Sequence, residues 1–401
     1  MASQLQTVSE SRLQRLPAEL KKHIMVNLDV LSFYALATTC QAFYNTYKCD
    51  NGITLCNIVA NALGSNFPLA IALQAAIRSD LTPLLSKIPR DAYLDRILDE
   101  IHQFGRKYLD PTNQQIPRPE DFSLSFAWEI MSFHSIVEEL ARKFIEVILI
   151  RELDQRWDIR PRPPTDTEVA RVQAAFYYLE ISRELLPLEG TSAELRNMLW
   201  HYAPPWDAVT AGKVTSFLEE YVDAFTEIEI PRLNATRLTP NKALRRWNPK
   251  LGLRAIDKLA NGEFKPKFVY LIAPAEADSS PAAYFVPTDR WGLTWLRPVA
   301  QGFGCRSLNI DHILARFPLE DRGPFFNWYY NVVVDHGHDL IPRLQSRPEE
   351  TAWWDVARIR EAFDVSGNTC SVEGMEYIAK GKVIRGEFTI DPIDFCKECG
   401  Y

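Results

Sequence analysis

The chain has 401 residues, 46% hydrophobic and 24% charged, with a formal net charge of −7 and a pI near 5.6. That length holds two or three domains of ordinary size with a sizeable core, and the balance excludes wholesale disorder. The acidic average, with no Lys/Arg cluster, argues against a nucleic-acid partner, and seven scattered cysteines do not make a secreted disulfide framework.

The leader "MASQLQTVSESRLQR" is polar over residues 1–12 and has no apolar core of the kind a secretory signal needs. The longest apolar stretches, such as Phe67 to Ile77, fall short of a membrane span. A reducing address, cytoplasm or nucleus, with no membrane partner, is therefore expected, and Asn-Ala-Thr at Asn234 reads as a chance sequon.

From Leu16 to Ala62 the apolar spacing is helical: Leu20, Ile24 and Leu28 recur every four residues, and Leu36, Cys40, Phe43 and Tyr47 follow at steps of three and four. Pro17 sits at a helix start, where its missing N–H costs least. "NLDVLS" breaks the pattern, with Ser32 read as the N-cap of the next helix. Further helices are predicted at Ile53–Leu63, Pro68–Ile77, Ala92–Tyr108, Phe122–Trp157, Asp166–Leu186, Ala193–Tyr202 and Ala208–Ile228. Proline-bearing punctuation such as "DPTNQQIPRPED" and "IRPRPPTD" separates several of them. Within Phe122–Trp157, Ile136, Leu140, Phe144, Val147 and Ile148 share one core-facing stripe.

Residues 231–250 are polar, basic and proline-marked, and read as a connection. Beyond them "FVYLIA", "AYFVP" and "LTWLRP" suit strands, while Phe325–Asp335, Trp353–Phe363 and Val372–Ala379 suit helices. The fold class expected is mainly α: an N-terminal three-helix element over 13–56, a helical region over 57–230 and a mixed α+β region over 251–401.

The order Leu16-Pro17, Glu19-Leu20, Ile24, Leu28, Ser32-Phe33, Leu36 and Thr39-Cys40-x-x-Phe43-Tyr44 resembles an F-box, in a form frequent among fungal proteins. The resemblance covers about forty residues, a tenth of the chain. F-boxes are three-helix elements that dock on a Skp-family adaptor and, through it, a cullin–RING ubiquitin ligase. The resemblance therefore implies an adaptor in the ubiquitin conjugation pathway, with Leu16, Pro17, Leu20, Ile24, Leu28, Leu36, Cys40 and Phe43 as adaptor-binding residues. So small a unit cannot bury all its apolar surface alone, so these side chains can serve an outer and an inner face. Each buried at an interface contributes roughly 1.5–3 kcal/mol before association costs. The protein target would be recognised by the C-terminal part, whose aromatic residues Trp291, Trp295, Trp328, Tyr329, Tyr330, Trp353 and Trp354 suit either a hot spot or a core.

Catalytic signatures are missing from the sequence, so no enzyme activity and no cofactor are expected. "QGFGC" at 301–305 lacks the context of a phosphate loop, and no Gly-x-Ser-x-Gly, P-loop or His-Glu-x-x-His occurs. The alternative is a helical enzyme or metal- or small-molecule-binding protein with a site near His336, His338, Cys396 and Cys399. Two histidines two apart share a face on a strand and diverge on a helix; the helix-end reading is favoured here. Cys396-x-x-Cys399 is half a zinc site, for which Cys305, Cys370 or the histidines would have to supply the rest. His134 and Glu138, four apart, read as a surface pair.

Overall fold

A computed structural model describes residues 11–79, 90–111, 113–149, 162–186, 199–233, 252–263, 324, 353–355, 357 and 358. The described residues are mainly helical and contain no strand, in agreement with the mainly α expectation. The predicted strands, the helices Phe325–Asp335 and Val372–Ala379, and almost all of the α+β region lie outside the described residues. The chain divides into two compact units, one comprising Met1–Ile71 and Gln115–Ser135, the other Ala72–Gln114 and Ile136–Tyr401.

In the first unit, α1 (Ala18–Val26) starts directly after Pro17, as the fixed φ of proline favours. It ends at Asn27, whose side chain returns to the His23 carbonyl at 2.7 Å. The next helix, α2 (Val30–Thr39), is capped not by Ser32 but by Asp29, whose carboxylate accepts the Ser32 N–H at 2.9 Å and its hydroxyl at 2.6 Å. Ser32 therefore sits three residues inside, at the position an N-cap side chain reaches. Both bonds, the hydroxyl's first, hold the Asp29 carboxyl below its ordinary range. Cys40 alone, in extended conformation, separates α2 from α3 (Gln41–Cys49).

α4 (Asn51–Leu63) is the common support: α1, α2, α3 and a 3-10 turn at Pro119–Asp121 all pack on it. Its sequence shows why, because Leu55, Ile58, Val59 and Leu63 are all buried. Asn61 donates to the Val26 carbonyl at 3.1 Å, and Lys22 pairs with the Asp50 carboxylate just before α4. Gly64, at a φ of 53°, ends α4 in a left-handed conformation that other residues adopt reluctantly. A 3-10 turn at Gly64–Asn66 leads into α5 (Phe67–Arg78). Phe67 stacks on Phe122 at 6.1 Å, and Phe122 meets Phe126 edge-on at 5.1 Å.

Together α4, its turn and α5 make a 28-residue run, Asn51–Arg78, long and apolar enough to cross a membrane by length and composition, which differs from the sequence expectation. Of its most apolar window 61% is buried inside the fold, the pattern of a core helix.

The second unit holds α6 (Arg90–Phe104), which continues as a π turn at Gly105–Leu109, and the later part of α7 (Leu124–Val147). α8 (Asp166–Leu185) packs on α9 (Pro205–Leu233), and α9 on α10 (Leu253–Ala260). α8 is buried without a break from Val172 to Ser182, the behaviour of a central helix rather than an amphipathic surface one. Buried Glu180 accepts the first N–H of α10, at Leu253, at 3.2 Å, closing a helix end from 73 residues away. α9 starts three residues before the predicted helix and ends five after it, reaching Leu233. α10 was not expected from the sequence, and His134 is buried rather than at the surface, while Glu138 is exposed.

Candidate functional site

The three N-terminal helices divide their apolar side chains between two destinations. Met25, Val30, Phe33, Ala37 and Phe43 are buried, and Phe33 meets Tyr47 edge-on at 5.0 Å. Burial also raises the Tyr47 phenol above its ordinary range. The core of the element is therefore closed from inside.

A second set of large apolar side chains is exposed to water. Leu20 is 49% exposed, Leu31 61%, Tyr34 50% and Tyr44 45%. Pro17, directly before α1, and Leu20 and Ile24 on it follow at steps of three and four and so line one side of the helix; on α2, Leu31 and Tyr34 do the same. A lone exposed leucine is ordinary, but five large apolar residues within Leu13–Tyr44 are a concentration that a helix trio does not need for its own fold.

Of the residues expected to bind an adaptor, Pro17 and Leu20 are exposed, and Leu16, Ile24, Leu28, Leu36 and Cys40 are half-buried. Phe43, expected among the adaptor-binding residues, is instead fully buried in the core of the element. Its position on the inner side of α3, one step from Tyr44 on the outer side, follows from the 100° turn per residue. Leu13, Leu31, Tyr34 and Tyr44 extend the exposed set beyond the adaptor-binding residues that the resemblance implies. The signal that could have found them is their offset from the buried positions Val30, Phe33 and Phe43.

His336, His338, Cys305, Cys370, Cys396 and Cys399 lie outside the described residues. Among the described residues no group of three or more His, Cys, Asp or Glu side chains could hold a metal ion. Cys40, Cys49 and Cys56 are free thiols, and burial pushes the Cys56 thiol up, away from the reactive thiolate. Trp353 and Trp354, expected in a helix, precede it: Trp353 lies in a turn, helical backbone is present at 357 and 358, and both indoles are buried.

Comparison with known proteins finds no match. Neither a family model nor a curated protein nor a solved structure corresponds to this chain.

Proposed function

We propose that residues 13–56 form an F-box-like element that docks on a Skp-family adaptor and so links a cullin ubiquitin ligase to a protein target. The chain is read as a substrate adaptor and not as an enzyme, working in the cytoplasm or nucleus. Its C-terminal part, residues 251–401, is read as an α+β region that recognises the target.

One observation carries the reading. The N-terminal helices hold their own core, yet leave Leu20, Leu31, Tyr34 and Tyr44 in water, in the stretch where the Leu16-Pro17 and Thr39-Cys40-x-x-Phe43 ends resemble an F-box. Aromatic and aliphatic side chains displayed on a firm support are what a protein interface uses as anchors.

The test is co-purification of the full chain with a Skp-family adaptor, comparing the natural sequence with Leu20→Asp, Leu31→Asp. Both positions are about half or more exposed, so the variant keeps its fold. A complex formed by the natural chain and lost in the folded variant supports the reading. A natural chain that is folded and binds no adaptor overturns it.

A further inference from the structure

We draw no further inference here: the strongest candidate, the exposed apolar surface of Ile116 and Trp128 around the Pro119–Asp121 turn and the start of α7, carries nothing, because nothing in the structure shows what covers it.

Discussion

Phe43→Ala and Leu20→Ala separate the side chains that build the N-terminal element from those it displays. Phe43 is 0% exposed, so its truncation loses the transfer of a whole phenyl group and leaves a cavity, together about 3–5 kcal/mol. Leu20 is 49% exposed and encloses no cavity when shortened, so at most about half of a leucine's 1.5–3 kcal/mol is forfeited, about 1 kcal/mol. Against a domain stability of about 5–15 kcal/mol the first change is severe and the second minor. Urea unfolding followed by circular dichroism measures the overall effect. Hydrogen exchange of the Tyr44 amide, bonded to the Cys40 carbonyl at 2.9 Å, reports on α3 itself. Phe43→Ala is expected to lower that protection by at least about a hundredfold, the equivalent of about 3 kcal/mol, and Leu20→Ala by about tenfold or less. Equal losses would refute the partition into an inner and an outer face.

Two further changes test the fold. A Cβ at Gly52 would collide with the Pro119 carbonyl oxygen and lie 2.9 Å from that of Glu120. Alanine gains about 1 kcal/mol of helix propensity, but overpacking against backbone costs about 1–3 kcal/mol, so Gly52→Ala is expected to lower the urea midpoint; a higher midpoint contradicts this. Burial pushes the Asp207 carboxyl up to about 7, with nearby Arg171 pulling it down. The folded state then keeps a proton that the unfolded chain releases near its ordinary value of 3.8, so this group's contribution falls as pH rises from about 4 to about 7. Asp207→Asn is expected to flatten that dependence and to raise stability at pH 8 relative to the natural chain; an unchanged pH slope contradicts it.

Much of the helical fold was legible because apolar periodicity survives any tertiary arrangement. The bounds of α4, α5 and α8 lie within about two residues of the sequence reading for that reason. What periodicity does not carry is the identity of the surface a residue faces. Leu20 and Phe43 both fit a helical stripe, yet one faces water and the other the core of its own element. Asp29 and Ser32 are both good caps, and only backbone geometry separates them. The pattern Thr165-x-x-Glu168 was a readable capping box, but nothing local ties Glu168 to Arg358, 190 residues on. α10 is eight residues long, too short for periodicity to stand out beside the polar run before it.

The docking account is tested most directly by hydrogen exchange of the full chain with and without a purified Skp-family adaptor. Complex formation with added protection within Ala18–Cys49, removed by Leu20→Asp, Leu31→Asp, is the result predicted. A folded chain that shows no protection there at adaptor concentrations of tens of micromolar, an affinity scale of about 6 kcal/mol or weaker, contradicts it.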